Sequence, residues 1–399
     1  MHSSDSLSSN EMNCIRATLL AAVFSTAAAF SGAAAQSSQP APAPAASPLK
    51  FSGVIFGNWQ DHTDSATKAT NGGQSFNKFD IERVYLNFVM PAGDRATIRA
   101  TTDIFQTTAG GYYNGWTVRL KYAWLQYDLN KPRDANAWSA FAKLGMLTTP
   151  VIDYEESYWP RWIAQTVPDR NALFPSSDIG VGAQLTLPNR MGLLYGTLTD
   201  GSGYSNVETD RFKDAALRLS LTPWGKSKSG FSTFSISPWI WKGEKGSKFA
   251  AGGAGQVAPV TDGLDRNRWG ILAAVKDPRL TAGAEYARRI DGSEAGANTI
   301  ASPDVITNVT GDLVDGYVVT RPQAWSDPHK PAPFGLLLRY DRVKLNTATS
   351  ANNTFLIGGA FYELTAKTAI SLDYQVQTAH AGSTTPGTRI LYMHWVATF

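Results

Sequence analysis

The sequence predicts an all-β protein, a transmembrane antiparallel β-barrel of about sixteen strands with one loop folded inward. Three observations support this fold class: short alternating runs from residue 50 onward, connections that alternate between short and long, and low charge. Charged residues make up 17% of the chain, below the roughly 25% usual for soluble domains, whereas aromatic residues reach 11%. We therefore expect much of the surface to face something other than water.

The first segment predicts a secretory signal peptide over residues 1–35. An arginine precedes a long apolar run, and a small-residue A-x-A pattern places the cleavage before Gln36. Residues 36–48 alternate proline with alanine, which favours an extended, semi-rigid segment that would act as a periplasmic tether. The transmembrane barrel is then expected over residues 49–399.

Cysteine usage and charge exclude several kinds of site. The only cysteine, Cys14, lies in the predicted leader, so disulfides, thiolate metal sites and a cysteine nucleophile are not expected in the mature chain. Removing the leader deletes one arginine and two acidic residues, which moves the formal charge from +3 to about +4. That charge is too small to indicate a nucleic-acid-binding protein.

The histidines do not indicate catalysis. Only His394 lies on a predicted strand, no Cys/His cluster has zinc spacing, and no G-x-S-x-G turn accompanies a histidine. We therefore expect no cofactor, no metal and no enzymatic activity.

The alternation is clearest in "KTAISLDYQVQT", which is apolar on one face and polar or acidic on the other. The apolar face carries Ile370, Leu372, Tyr374 and Val376, and the other carries Ala369, Ser371, Asp373, Gln375 and Gln377. Such a strand is suited to a different solvent on each side. Comparable runs are expected at about 50–60, 76–90, 95–107, 116–129, 138–147, 178–188, 192–200, 212–222, 230–242, 267–276, 279–290, 313–322, 333–344, 353–364, 367–378 and 388–399. The weakest is 313–322, so fourteen and eighteen strands are the alternatives to about sixteen.

Closure into a barrel follows from the apolar outer face. In lipid every backbone N–H and C=O must be satisfied internally, and only a closed barrel leaves no unpaired edge. Sixteen strands enclose an interior too wide for side chains to fill, so a water channel is expected. A soluble β-sandwich or jelly roll is the alternative that would show similar alternation.

The connections predict which rim faces which side of the membrane. Short turns are expected at 91–95, 187–192, 277–280 and 364–369, and longer segments at 61–75, 148–177, 243–265 and 291–312. Outer-membrane barrels have short periplasmic turns and long extracellular loops, so both termini would lie on the periplasmic side. Aromatic residues near strand ends are expected in the two interfacial girdles: Trp116, Tyr122, Trp124, Tyr127, Trp138, Phe141, Trp224, Trp239, Trp241, Trp395 and Phe399.

Four blocks in chain order resemble the phosphate-selective porin O/P family of outer-membrane channels. They are "FNKFDIERVYLNFVMPAGDRATIRATTDIF", "AFAKLGMLTTP" with "VPDRNALFPSSDIGVGAQLTLP", "GGAFYELTAKTAISLDYQVQT" and the Phe-terminated last strand. The resemblance implies a sixteen-stranded barrel, a homotrimer, and a constriction loop in the lumen, here 148–177. The ending "RILYMHWVATF" looks like the terminal strand that the outer-membrane assembly machinery recognises, with Ala397 where an aromatic is common.

Charged residues on the polar faces of the strands, together with those of the loop, are the candidates for pore-lining or constriction residues. They are Arg99, Arg119, Lys121, Lys143, Arg218 and Arg339 on strands, and Asp153, Glu155, Glu156, Arg161 and Arg170 in the loop. Basic rings lower the barrier for anions and acidic rings lower it for cations. Because the loop segment "DYEESYWPRW" departs from the family's converging basic residues, phosphate specificity is not carried over.

The sequence thus predicts a bacterial outer-membrane porin for passive diffusion of small hydrophilic solutes or ions, with an anion preference. The expected partners are outer-membrane lipid, small anions or other hydrophilic solutes, further copies of the chain in a homotrimer, and the assembly machinery. The alternative is a barrel with a plugged lumen whose loops serve as a receptor, adhesin or enzyme.

Overall fold

Sixteen strands form the protein. The computed structural model describes residues 49–107, 115–132, 134, 136–226, 230–249, 257, 261–380, 383 and 386–399, so the predicted leader and tether lie outside the described residues. The strands are β1 Lys50–His62, β2 Phe76–Pro91, β3 Ala96–Thr107, β4 Gly115–Asp128, β5 Ser139–Thr148, β6 Ser177–Thr186, β7 Gly192–Thr199, β8 Asp214–Leu221, β9 Ser235–Gly246, β10 Gly263–Lys276, β11 Leu280–Ala295, β12 Val305–Thr320, β13 Phe334–Lys344, β14 Asn352–Thr365, β15 Thr368–His380 and β16 Thr388–Thr398.

Each strand pairs antiparallel with its neighbours in the chain, and β1 pairs with β16 to close the barrel. The closing register runs from Val54 opposite Thr398 to His62 opposite Ile390. The predicted antiparallel barrel of about sixteen strands is therefore confirmed, and the weakest predicted run, 313–322, belongs to the full-length β12.

The helices of the described residues are short. They are α1 Ser65–Thr70, α2 Ile152–Glu155, α3 Val167–Arg170 and α4 Pro322–Ser326, with 3₁₀ turns at Pro188–Arg190 and Gly230–Thr233. Within the described part of the chain, none of the helices has the length and apolar composition needed to cross a membrane.

The two faces of the strands differ as the alternation predicts. On β15, Ile370, Leu372 and Tyr374 are exposed on the outer wall, whereas Ser371 and Asp373 are buried on the inner side. An apolar outer belt is the surface that lipid requires, because a charged side chain there is costly at mid-membrane depth.

One rim is less regular than predicted. It carries the short turns 92–95, 187–191, 277–279 and 366–367 and both ends of the described barrel, but also the longer segments 222–234 and 321–333. The second of these holds α4, whose start is favoured by Pro322 at the first helical position. The opposite rim carries 63–75, 149–176, 200–213 and 247–262.

A β-bulge in β4 reverses the alternation there. Thr101 of β3 pairs with Tyr122, and Thr102 pairs with Leu120, so Lys121 is an extra residue without a partner of its own. Lys121 and Tyr122 are consequently both buried on the inner side. A bulge places two residues opposite one and shifts every later side chain to the other face. The expectation that Trp124 faces outward is therefore wrong, and Trp124 points into the barrel.

Four of the predicted girdle aromatics lie inside the barrel instead. Tyr122, Trp124, Trp239 and Trp241 are buried, whereas Trp116, Trp138 and Trp224 are exposed on the outside as expected. The inner four lie within β4 and β9, on the strand faces that point inward. The face of the strand therefore separates a girdle aromatic from a lumen aromatic.

The terminal strand packs its outer aromatics over glycines of β1. A Cβ atom at Gly57 would lie 2.2 Å from the Trp395 ring, and one at Gly53 would lie 2.3 Å from the Phe399 ring. Both glycines are required by this close approach of a ring to the neighbouring backbone. The alternation predicted for β16 therefore has a matching pattern of small residues on β1.

Candidate functional site: the lumen and its inward loop

The segment 149–176, between β5 and β6, lies within the barrel. Side chains from distant strands bind its backbone: Arg268 Nε donates to Leu173 O at 2.7 Å and Gln375 Nε2 donates to Ile163 O at 3.1 Å. On another strand, Arg218 Nε donates to Pro150 O at 2.5 Å. Because β8, β10 and β15 stand around the barrel, a segment that reaches all three must cross the lumen.

The middle of this loop is fixed by an apolar cluster that we call the loop core. Trp159 and Ile163 of the loop pack against inward side chains of β12–β14, namely Val319, Leu337, Phe355, Ile357 and Phe361. Trp159 is 1% exposed, its ring lies 5.5 Å from that of Tyr317, and its Nε1 donates to Ala164 O at 2.9 Å. Satisfying the indole N–H locally allows this large ring to be buried.

The two ends of the loop pack against β8–β13. Val151, Ile152, Val167, Leu173 and Phe174 form a second cluster with Ala216, Trp239, Trp241, Ala287, Leu313 and Val343. The Phe174 ring is stacked on the Trp241 ring at 4.9 Å. The loop therefore narrows the lumen from one side, because its apolar side chains pack against the half of the wall from β8 to β14.

The other half of the wall, β2–β5, carries basic residues beside aromatic rings. The Arg99 guanidinium lies 4.7 Å from the Tyr122 ring, Lys121 Nζ lies 4.3 Å from Tyr85, and Lys143 Nζ lies 4.4 Å from Trp124. We call Arg99, Lys121 and Lys143 the basic ladder. Among the described residues, none of the three has a carboxylate within ion-pair distance.

Arg119, on the same wall, shares one carboxylate with a second arginine. Arg119 Nε and Arg83 Nη1 lie 3.1 and 2.6 Å from Oδ2 of the buried Asp103. Arg119 also donates to Tyr204 Oη and Ser205 Oγ of the 200–213 connection. It therefore links the wall to a second inward segment and contributes less free positive charge than the basic ladder.

Arg218 and Arg339 hold the loop in place. Arg339 makes a two-pronged ion pair with Asp341, at 2.7 and 2.8 Å, and donates to Gln165 O at 2.6 Å. Arg218 donates to Pro150 O and its guanidinium lies 3.7 Å from the Tyr154 ring. Both are buried against the loop, so their placement indicates a positioning role for the loop backbone.

The loop arginines are also occupied. Arg161 Nη1 lies 2.9 Å from Glu82 Oε1, and its Nε lies 3.5 Å from Glu156 and 3.9 Å from Asp169. A β-bulge between β1 and β2 leaves Glu82 as the extra residue beside Arg83 and lets Glu82 reach the loop. Arg170 covers the Phe355 ring and donates to Gln377.

A cavity of about 250 Å³ lies between the loop and the wall. It is lined by Asp80, Ile81, Glu82, Arg83, Phe105 and Gln106 of β2 and β3 and by Arg161 and Gln165 of the loop. Both signs of charge meet there, so the cavity suits a hydrated solute better than one fixed ion.

The acidic loop residues occupy two different environments. Asp153 accepts a hydrogen bond from Tyr122 Oη at 2.9 Å and thus faces the basic ladder. Glu155 is buried against β11 and β12, where burial and the neighbouring Glu285 carboxyl raise the pKa of Glu155 well above its usual range. Within the described residues, no group of acidic, histidine or cysteine side chains is arranged to hold a metal ion.

The anion preference is expected to decrease as the pH rises through about 7. Burial raises the pKa of Glu156 to about 7, against the opposing effect of the nearby Lys121 ammonium. A carboxyl with a raised pKa is neutral below that value and gains negative charge above it, beside the basic ladder. Reversal potentials measured in a KCl gradient at about pH 5 and pH 9 would show the change, because these values bracket the titration. Glu156→Gln should reduce the pH dependence, and an undiminished dependence in that variant would contradict the assignment.

Several residues of the site were not identifiable from isolated positions. Tyr85, Tyr122 and Trp124 line the basic ladder. In the sequence, the inward orientation of Tyr122 and Trp124 is indicated only by a change of parity in β4. Outward apolar residues fall at even positions up to Leu120 and at odd positions from Leu125. That change of parity is the sequence signal of the bulge.

Comparison with known proteins gives a likeness of fold. The chain matches no known protein-family model and no curated protein sequence. Among solved structures it is similar to the anion-selective porin from Comamonas acidovorans, with a TM-score of 0.58 and 10% identity over 88% of this chain and 99% of that one.

Two further structures are similar at the same level. The outer membrane protein OmpT of Vibrio cholerae in its trimer form has a TM-score of 0.55 and 8% identity, covering 88% of this chain and 99% of that chain. The outer membrane channel DcaP of Acinetobacter baumannii has a TM-score of 0.53 and 12% identity, covering 88% and 97%. The protein therefore has the sixteen-stranded fold of bacterial outer-membrane porins, which agrees with its predicted location in the bacterial outer membrane.

Proposed function

We propose that the protein is an outer-membrane porin through which small hydrophilic solutes and ions diffuse passively, with a preference for anions. The observation that carries this proposal is the basic ladder, Arg99, Lys121 and Lys143, on the part of the wall that the loop core does not contact, with Arg99 and Lys143 partly exposed and Lys121 buried behind them. Cations along a pore lower the barrier for anions. The similarity in fold to an anion-selective porin is in keeping with this preference.

Weak, repeated interaction suits diffusion better than tight binding. Each ladder cation is held over an aromatic face, which orients the charge without neutralising it. Asp153 and Glu156 of the loop lie near the same ladder, so an anion meets both attraction and repulsion. Conduction requires binding weak enough for the ion to leave.

A general anion preference is proposed in place of phosphate specificity. The resemblance to phosphate-selective porins would require basic groups that converge at the loop. Arg161 is instead surrounded by Glu82, Glu156 and Asp169, and Arg170 is held against Phe355. The two loop arginines therefore contact different parts of the wall, β2 for Arg161 and β14–β15 for Arg170, and do not converge on one phosphate.

The proposed assembly is a homotrimer in the outer membrane, inserted through recognition of the terminal strand by the assembly machinery. The trimer form of the similar Vibrio cholerae protein supports the first part. The rival function, a loop-based receptor, adhesin or enzyme, would require the lumen to be closed to ions.

Planar-bilayer recording tests the proposal. The purified protein should insert and produce stepwise conductance, and a KCl gradient should give a reversal potential of the sign that favours chloride. Insertion without conductance steps would favour the closed-lumen rival. Steps with a reversal potential that favours potassium would contradict the anion preference while leaving the channel function intact.

A further inference from the structure

Charged side chains lie on the outer wall of β11–β13, where lipid is expected. Arg288, Asp312, Arg342 and Lys344 alternate with Ala287, Leu313 and Val343, which are buried inside the barrel. The four charged residues must therefore point outward. We call them the outer charge cluster.

The cluster is continuous from strand to strand. The register places Trp269 of β10 opposite Arg288, Arg288 opposite Asp312, and Asp312 opposite Lys344. Arg342 lies one step toward the other rim, opposite Val314. Strands about 4.8 Å apart bring such neighbours within reach of one headgroup.

The height of the cluster matches the edge of the membrane. Arg288, Asp312, Arg342 and Lys344 lie eight to ten positions from the short-turn ends of their strands, Leu280, Thr320 and Phe334. At ~3.3 Å per residue and a tilt of ~40°, that distance is roughly 20–25 Å, the upper edge of an apolar band about 25 Å tall. Trp269 and Tyr286, whose rings lie 5.3 Å apart, are the aromatic pair expected at this interface.

The outward charge is densest on these three strands. At the same height the outward side chains of β3, β4 and β15 are apolar, namely Ile104, Leu120 and Val376, whereas Arg389 of β16 and Lys242 of β9 are single outward cations. If charged side chains lined the whole rim at this height, β3, β4 and β15 would carry them as well.

The cluster carries excess positive charge. Three cations stand against the single carboxylate of Asp312, which accepts from Tyr286 Oη at 2.9 Å and lies 3.4 Å from Arg288 Nε. Arg342 is exposed and has no ion-pair partner among the described residues. Guanidinium groups bind phosphate oxygens through paired hydrogen bonds.

We propose that the outer charge cluster binds the phosphate group of a lipid headgroup in the outer leaflet. The wall below it favours a lipid over free phosphate, because Val314 and Leu338 are exposed apolar side chains on which acyl chains can lie. Asp312 positions Arg288, while Arg342 and Lys344 supply further donors. This proposal requires the membrane location of the barrel but does not depend on conduction.

The test is lipid binding to the detergent-purified full-length barrel, measured by native mass spectrometry with diphosphorylated lipid A as the probe. The variant Arg288→Gln/Arg342→Gln/Lys344→Gln should bind the probe roughly tenfold more weakly, because charge-assisted hydrogen bonds are lost. Two controls should bind as the wild type does: Arg99→Gln/Lys121→Gln/Lys143→Gln, which loses the same charge inside the lumen, and Arg389→Gln, which loses an outward arginine on β16.

Other outcomes would overturn the proposal. Equal binding by the outer triple variant, or equal binding of a lipid A lacking phosphate, would exclude a phosphate-specific lipid site. Displacement of the probe by millimolar inorganic phosphate would indicate a free-anion site instead. Loss of the oligomer in the outer triple variant with lipid binding retained would assign the cluster to a contact between copies of the chain. Heat-modifiable migration on gels would establish that each variant is folded.

Discussion

Replacing Trp159 with alanine is expected to release the middle of the inward loop and to raise the single-channel conductance. The ring is 1% exposed and packs in the loop core between Tyr317 and the Arg339 guanidinium. Truncating a buried tryptophan costs about 3–5 kcal/mol, which lowers the ratio of seated to unseated loop by roughly two to three and a half orders of magnitude. An unseated loop should also produce rapid current fluctuations.

The matched control is Trp116→Ala. Trp116 is 49% exposed on the outer wall, so its removal changes the lipid contact and leaves the loop core intact. The β-ladders are untouched in both variants, and the barrel should keep its resistance to heat and detergent. A Trp159→Ala channel with wild-type conductance and a quiet trace would show that the loop core does not limit the passage of ions.

Neutralising the basic ladder is expected to abolish or invert the ion selectivity. In Arg99→Gln/Lys121→Gln/Lys143→Gln the wall loses the three cations of the basic ladder. The acidic loop residues Asp153 and Glu156 remain near the path of the ions. A unit charge about 4 Å from an ion is worth about 1 kcal/mol in water, or roughly fivefold in local ion concentration. The reversal potential in a KCl gradient should move toward that of a cation-preferring pore.

The control for that experiment is the outer triple variant, Arg288→Gln/Arg342→Gln/Lys344→Gln. It changes the net charge of the protein by the same amount but places the change outside the barrel, across the wall from the pore, where the electrolyte in the lumen screens it from the permeating ion. Its reversal potential should equal that of the wild type. If both triple variants shift the potential alike, the selectivity arises from the overall charge of the protein and not from the ladder.

Local rules were sufficient for the barrel. Alternation with period two identified β15 and the outward residues of β16, because lipid selects one face of each strand over its whole length. The same rule failed in β4, where Trp124 was expected outside. The bulge at Lys121 shifts the parity, and a bulge is created by the pairing of two strands.

The inward orientation of the strand cations could likewise be read from the alternation. The alternation does not reveal which of these cations are ion-paired and which are free. Arg339 and Asp341 look like a basic and an acidic lumen residue in the sequence, but they form a buried pair that holds Gln165 of the loop. Arg119 looks equivalent to Lys121, yet it shares Asp103 with Arg83.

The sequence by itself determined the class of the protein, an all-β barrel of about sixteen strands, because this class depends on short-range periodicity and on the need to satisfy every backbone group in lipid. The inward loop was implied by the resemblance to a porin family. Only the tertiary structure decided which half of the lumen the loop covers. The loop core joins residues more than a hundred positions apart, such as Trp159 and Val319, through contacts that no local pattern records. That packing leaves the basic ladder, Arg99, Lys121 and Lys143, outside the loop core, and the positive charge of the ladder is the basis of the proposed anion preference.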